Sequence, residues 1–216
     1  MKNKQTYLIE KNWWLLSIFA SKNPWMTLIF VVPISLFFIT QITEILSYTK
    51  IYICLLTGIL WWTFLEYIIH RFFFHWASYF KKLTYSIGSF HLYHHRIPKD
   101  KRVYTSGIAP AIAWSIVSMC LFPIFFSISE SYLISLATLV SYFFYELAHY
   151  HAHVTESKKG YLKFIQQNHF HHHLNPRVNF GQTSPLWDII FRTYEKPNEN
   201  KINQKKKFLF IEGQWS

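Results

Sequence analysis

Cysteine is nearly missing from this chain: there are two in 216 residues, Cys54 and Cys120. Both sit inside apolar runs, they form no metal-type pair, and neither has a neighbouring base. A disulfide framework, a thiolate metal site and a cysteine nucleophile are therefore set aside, and both read as small buried hydrophobes. Glycine is almost as scarce, with six scattered residues, none in a phosphate-cradling motif or a Gly/Ser linker. No internal repeat is found, and serine-nucleophile chemistry finds no support. Charge is also thin. Only 15% of residues are charged, against roughly 25% in ordinary soluble chains. Acidic residues number 11 against 22 basic ones, a formal charge of +11. Those basic residues avoid the apolar runs instead of interleaving with contact surfaces, which argues against a nucleic-acid partner.

What is present is apolar and aromatic: 51% hydrophobic residues and 20% aromatics. Four stretches approach the roughly 20 residues a helix needs to cross about 30 Å of hydrocarbon. They are Trp25–Thr43, Ile51–His70, Gly107–Phe126 and Ser131–His149. The second and fourth carry one acid each, Glu66 and Glu146, near their ends. Buried helices of a soluble core are the competing reading, and four of this length in one short chain disfavour it. All of the 22 basic residues except Lys50 fall on one side of these spans. The positive-inside rule then places both termini and the middle loop in the cytoplasm, with the spans as two hairpins.

Three regions follow: a cytosolic or interfacial segment over 1–24, a membrane domain over 25–195, and a polar, basic tail over 196–216. No cleavable signal peptide is expected, because a polar, basic stretch precedes Trp13 and no small-residue cleavage site follows a clear apolar core. The string "NWWLLSIF" is expected to lie along the interface as an aromatic-rich helix. The loop Trp76–Phe90 is expected to rest on the membrane surface, and the "KKK" of the tail to face solvent or lipid headgroups.

All twelve histidines lie between 70 and 173. They form four groups: His70 and His75; His91, His94 and His95; His149, His151 and His153; His169, His171, His172 and His173. Each group falls at, or just past, the cytoplasmic end of a span. At about 100° per residue, His149 and His153 look the same way, and the HxxHH spacing of 91–95 and 169–173 fits an arc of about 100°. His70 and His75 fall about 140° apart on an α-helix, which suggests that they serve different metals or straddle a helix end. His151 and His171 point elsewhere. That leaves His70, His75, His91, His94, His95, His149, His153, His169, His172 and His173 as candidate ligands.

Ten imidazoles exceed what one ion can hold. Two ions with about five nitrogens each keep a coordination position open for dioxygen or water. Zinc seldom takes more than four ligands, so two irons fit the number better. Zinc outranks iron(II) at nitrogen sites and could fill them in an isolated sample. Glu66 lies four residues before His70 and Glu146 three before His149, each on its histidine's helical face. A ligating imidazole usually donates its other N–H to such a group, so both are candidate supporting carboxylates. Asp188 is a third. An adventitious metal binder and a pH switch are the plainer readings. Neither needs four groups with HxxHH used twice.

At these residues the chain resembles the membrane fatty acid hydroxylase superfamily, which also holds sterol desaturases and carotenoid hydroxylases. Within it the resemblance is to fatty acid 2-hydroxylases. It is carried by "WWTFLEYIIHRFFFH" (61–75), "HLYHHRIPKDKR" (91–102), "YELAHYHAH" (145–153) and "FGQTSPLWDIIFRTY" (180–194), and runs from about Gly58 to Tyr194. The resemblance implies an all-α fold: four membrane helices under a histidine-rich cytosolic cap that holds two metals. It implies the same ten ligands. It also implies an activity: dioxygen and electrons from outside insert a hydroxyl at carbon 2 of an acyl chain. Some relatives carry a fused haem domain of the cytochrome b type, and nothing here resembles one. The electron donor is therefore expected to be a separate cytochrome b-type or ferredoxin-type protein. The family pattern usually has Asp at the position of Glu146 and a proline pair where this chain reads "TSGIAP".

A tunnel near Phe72–Phe74 and Trp76 is expected to receive the acyl chain, with Arg71, Arg96 and Lys99 able to neutralise a headgroup. Two enzymatic alternatives stay open: a desaturase, and a hydroxylase of a sterol or carotenoid. A metal sensor or transporter ranks last, since a transporter should carry ionisable ligands near mid-span.

Overall fold

The apolar runs become helices that meet along one long central helix. The computed structural model describes residues 20–21, 23–75, 89–106 and 108–209. Helix α1 spans Trp25–Gln41 and α2 spans Tyr48–Ile68, continuing as a π-helical segment over Ile69–His75. Helix α3 is Ser89–Arg96, α4 is Ile108–Leu121 and α5 is Ile128–Val154. Helices α6 (Gly160–Leu174), α7 (Leu186–Ile190), α8 (Glu199–Gln204) and α9 (Lys206–Leu209) complete the chain order. The all-α expectation holds except for one minimal ladder, in which β1 (Ala20–Ser21) pairs antiparallel with β2 (Thr105–Ser106). The segment "NWWLLSIF" and residues 76–88 of the expected surface loop lie outside the described residues, and that loop's last two residues, Ser89 and Phe90, open α3.

Helix α5 is the axis of the bundle, with α1, α2 and α4 packed around it. Its start is fixed by a capping box: the Ser127 hydroxyl accepts the Glu130 N–H, and the Glu130 carboxylate accepts the Ser127 N–H. Ser47 caps α2 in the simpler way. Close approach of α2 to α5 depends on Gly58. A Cβ there would lie 2.5 Å from the Ile134 carbonyl oxygen and 2.6 Å from the Ala137 Cβ. Val31, Phe38, Trp62, Leu65, Ala111, Leu139 and Tyr142 form the main core.

The outer faces are apolar as well. Ile29, Val32, Leu36, Phe37, Ile53, Ile59, Ile112, Ile116 and Phe144 are all more than 40% exposed. Two helical runs, Tyr48–His75 and Ile128–Val154, are long and apolar enough to cross a membrane. The other two expected spans are shorter, because α1 ends at Gln41 and α4 gives way to a 3-10 turn, Phe122–Ile124, at Pro123. The tail is not wholly solvated: Ile202 and Leu209 are buried with Phe170 in a small core of their own.

Candidate metal centre

Helices α2 and α5 run in the same direction and deliver their histidines to the same end of the bundle. Helices α3 and α6 lie across that end and bring the rest. The HxxHH spacing splits between two groups. One group is His70, His75, His91, His95 and His172; the other is His94, His149, His153 and His169, and either could hold a metal ion. His173 joins the second, with its Nε2 3.0 Å from that of His169 and 3.1 Å from that of His94. Thus His91 and His95, one turn apart on α3, face the first group while His94 faces the second. On α6, His172 goes one way and His169 and His173 the other.

His70 and His75 depart from the helical-wheel expectation. They belong to the same group, with Nε2 atoms 3.3 Å apart. The π-helical segment Ile69–His75 explains this, because i→i+5 bonding brings residues five apart onto one face.

The spacings fit metal coordination. Adjacent ligands on an ion bound at about 2.1 Å lie about 3 Å apart. In the first group, the Nε2–Nε2 separations include 2.8 Å for His70–His91, 2.9 Å for His75–His172 and 3.1 Å for His95–His172. In the second they are 3.1 Å for His94–His149 and 2.7 Å for His153–His169. Burial, first, and neighbouring rings, second, hold His91, His94, His95, His169, His172 and His173 well below the usual imidazole range. Neutral imidazoles are the form that binds a metal.

Four of the ten rings are pinned by main-chain carbonyls on the far nitrogen. His70 Nδ1 lies 2.5 Å from the Phe180 oxygen and His172 Nδ1 2.6 Å from the Val178 oxygen. His149 Nδ1 lies 2.7 Å from the Tyr104 oxygen and His153 Nδ1 3.2 Å from the Leu209 oxygen. A carbonyl can only accept, so Nδ1 carries the proton and Nε2 is left as the ligand atom.

The three candidate carboxylates do not touch these rings. Glu66 accepts the Gln182 N–H, the Thr183 N–H (2.8 Å) and the Thr183 hydroxyl (2.5 Å). Asp188 accepts the Phe180 N–H at 2.9 Å, the Gly181 N–H at 2.7 Å and the Thr193 hydroxyl at 2.7 Å. Burial pushes the Asp188 carboxyl up, against these hydrogen bonds. Glu146 accepts the Ser106 N–H at 2.7 Å. The expected carboxylate–imidazole pairs are thus replaced by carboxylate–peptide contacts. His151 and His171 stay outside both groups: His151 Nε2 meets the Ser157 hydroxyl at 2.7 Å, and His171 Nε2 lies 3.4 Å from Glu195.

Two hollows reach the histidines from different sides. A cavity of about 520 Å³ is lined by His70, His91, His94 and His149 together with Trp62, Phe73, Phe74, Trp114, Tyr142 and Tyr145. A hollow of about 700 Å³ is lined by His75, His95 and His173 with Arg71, Arg96 and Arg177. Arg71 donates to the Tyr67 hydroxyl and packs over the Phe72 ring. Sequence reading missed the tyrosines of the first cavity and the backbone carbonyls at 104, 178, 180 and 209. An aromatic in an apolar run carries no mark of which face it takes, and a carbonyl carries none at all.

The family model described as fatty acid hydroxylase matches residues 55–193, and the chain belongs to that family. It is similar to dihydroceramide fatty acyl 2-hydroxylase FAH2 of Arabidopsis thaliana, 30% identical over 156 residues, covering 68% of this chain and 63% of that protein. It is also similar to the ceramide very long chain fatty acid hydroxylase scs7 of Schizosaccharomyces pombe, 30% identical over 203 residues and covering 87% and 56%. The mouse fatty acid 2-hydroxylase is 31% identical over 146 residues, covering 63% and 38%. The chain thus spans less than two thirds of each relative's length. A solved structure of full-length scs7p, in which only the hydroxylase domain is visible, has the same fold, with a TM-score of 0.69 at 21% identity. The match covers 84% of this chain and 69% of that one.

Proposed function

We propose that this chain is a membrane-embedded, dioxygen-dependent hydroxylase that places a hydroxyl on carbon 2 of a lipid acyl chain. It would work with two metal ions, iron in the active enzyme, and with electrons from a separate cytochrome b-type or ferredoxin-type protein. One observation carries the reading: His70, His91, His94 and His149, drawn from both imidazole groups, line one cavity whose other residues are mostly aromatic and aliphatic. The relatives named above are all acyl hydroxylases by description and support the reaction; the Arabidopsis thaliana and mouse proteins, described as 2-hydroxylases, support the carbon.

The first ion would be held by His70, His75, His91, His95 and His172, and the second by His94, His149, His153, His169 and His173. Bound iron would supply the reduction of dioxygen and the oxidation of a C–H bond. The chain's own residues do the rest. Carbonyl-pinned rings keep Nε2 aimed inward without motion on loading. Trp62, Phe73, Phe74 and Trp114 exclude water and give the acyl tail an apolar bed. Geometry in the histidine-lined cavity, not the oxidant, selects the carbon. The arginine-lined hollow on the other side suits a polar or anionic approach.

Exposed apolar side chains on α1, α2, α4 and α5 support burial in a bilayer, since a soluble monomer rarely shows such patches. We read all four helices as spanning, with the histidine end and both termini cytoplasmic, on the one-sided distribution of basic residues.

Expression in a host lacking 2-hydroxylated lipids, under 18O₂, tests the function by lipid mass spectrometry. Labelled 2-hydroxyacyl species that vanish in His172→Ala are expected. Acyl chains two hydrogens lighter and unlabelled would instead establish a desaturase.

A further inference from the structure

Four consecutive main-chain N–H groups, from Phe180 to Thr183, end on two carboxylates. Asp188 takes the first two and Glu66 the last two. The Phe180 carbonyl of this segment receives the Nδ1 proton of His70, and the Val178 carbonyl two residues earlier receives that of His172, two of the five rings in the first group. Gly181 lets the segment close: a Cβ there would stand 2.1 Å from the Ser184 carbonyl oxygen and 3.0 Å from Asp188 Oδ2. The second group repeats the device. Glu146 takes the Ser106 N–H, and the Tyr104 carbonyl two residues earlier receives the proton of His149. Glu66 and His70 share α2 and its π-helical continuation, while Glu146 and His149 share α5. In both cases an acid one turn before the histidine accepts N–H groups of a segment from another part of the chain, and a carbonyl of that segment meets the histidine's Nδ1.

Glu66 and Asp188 are 4% and 0% exposed, and Glu146 is 0% exposed. Among the described residues, none of the three has a salt-bridge partner. Burying a carboxylate that has no salt bridge is costly, and the hydrogen bonds it accepts offset part of that cost.

We propose that Glu66 and Asp188 are positioning residues for the first metal position, and Glu146 for the second, each acting through a main-chain segment that sets an imidazole's tautomer and aim. The proposal rests on the two-metal reading above. It also separates the roles of charge and of acceptor geometry. Glu66 Oε1 accepts both N–H groups while Oε2 accepts the Thr183 hydroxyl. Glutamine can keep the first two contacts and turn its amide toward that hydroxyl's oxygen. Both oxygens of Asp188 accept main-chain N–H groups, so asparagine must set an N–H against an N–H.

The test is cobalt(II) titration of the purified full chain after metal removal, followed by visible absorption. Wild type is expected to bind two ions. Glu66→Leu and Asp188→Asn are expected to weaken one position about 10- to 100-fold and leave the other, Glu146→Leu to weaken the opposite one, and Glu66→Gln to behave as wild type. Equal weakening of both positions by Glu66→Leu, or none, overturns the proposal. Fewer than two ions in wild type would overturn the two-metal reading separately. 15N-histidine NMR of the metal-free chain then still decides the positioning role: His70 should leave the Nδ1–H tautomer in Glu66→Leu, and an unchanged His70 signal overturns it.

Discussion

The Phe180 carbonyl oxygen lies 2.5 Å from Nδ1 of His70, 110 residues away in sequence. That contact ties the loop after the last histidine group to the first histidine of the chain, and it makes the loop's shape a property of the metal site. Gly181→Ala should therefore act on both stability and metal. The added methyl meets backbone 2.1 Å away, so the loop must shift, at about 1–3 kcal/mol. Thermal unfolding and metal analysis are expected to show a lower Tm together with loss of about one metal per chain.

Histidines inside and outside the groups should separate cleanly. His172→Ala removes a ring whose Nε2 is 2.9 Å from that of His75, and it should abolish product formation, a fall of at least 100-fold. His151→Ala loses only a contact to Ser157 and should stay within about twofold of wild type. Product per unit of folded protein, by lipid mass spectrometry, checks both.

How much of this was legible in the sequence differs by level. Eight of the ten ring positions follow from spacing, because the i, i+4 pattern of His149 and His153 and the HxxHH pattern used twice each fix a face. The partition between the two groups does not follow. His91 and His94 share an arc on α3, and only the placing of α2 and α5 on either side sends them apart. The π-helical turn at Ile69–His75 was equally invisible, since α-helical angles place His70 and His75 about 140° apart. Acid positions were readable and their partners were not: Glu66 and Glu146 sit near their histidines, yet what they bind is main chain. The tail read as polar and basic supplies the buried Leu209 carbonyl that meets His153.

Acid should strip and destabilise the site. The folded His94, His95, His169, His172 and His173 are held below the unfolded imidazole value near 6.5. The unfolded chain therefore binds more protons below that pH, and the stability these rings contribute is full above about 6.5 and lost as pH falls. Tm of the metal-free chain should be flat between pH 7.5 and 8.5 and drop by pH 5. A Tm that rises on acidification would contradict the neutral, buried state of the rings.

Packing in the bundle should be sensitive at one glycine. Gly58→Val sets two methyl groups against the Ile134 carbonyl, where even one Cβ comes to 2.5 Å. It should separate α2 from α5 and lower Tm in detergent by several degrees, consistent with about 1–3 kcal/mol.

Filling the apolar cavity should uncouple binding from metal loading. Ala113 lines the cavity beside Trp114, so Ala113→Trp is expected to cut 2-hydroxyacyl product at least tenfold while metal content stays at the wild-type value.

The central claim, that ten imidazoles hold two ions side by side, is tested most directly by anomalous scattering at the iron edge from crystals of the iron-loaded chain. Two peaks are expected, one enclosed by His70, His75, His91, His95 and His172, the other by His94, His149, His153, His169 and His173. A single peak, or iron bound away from these rings, would contradict it.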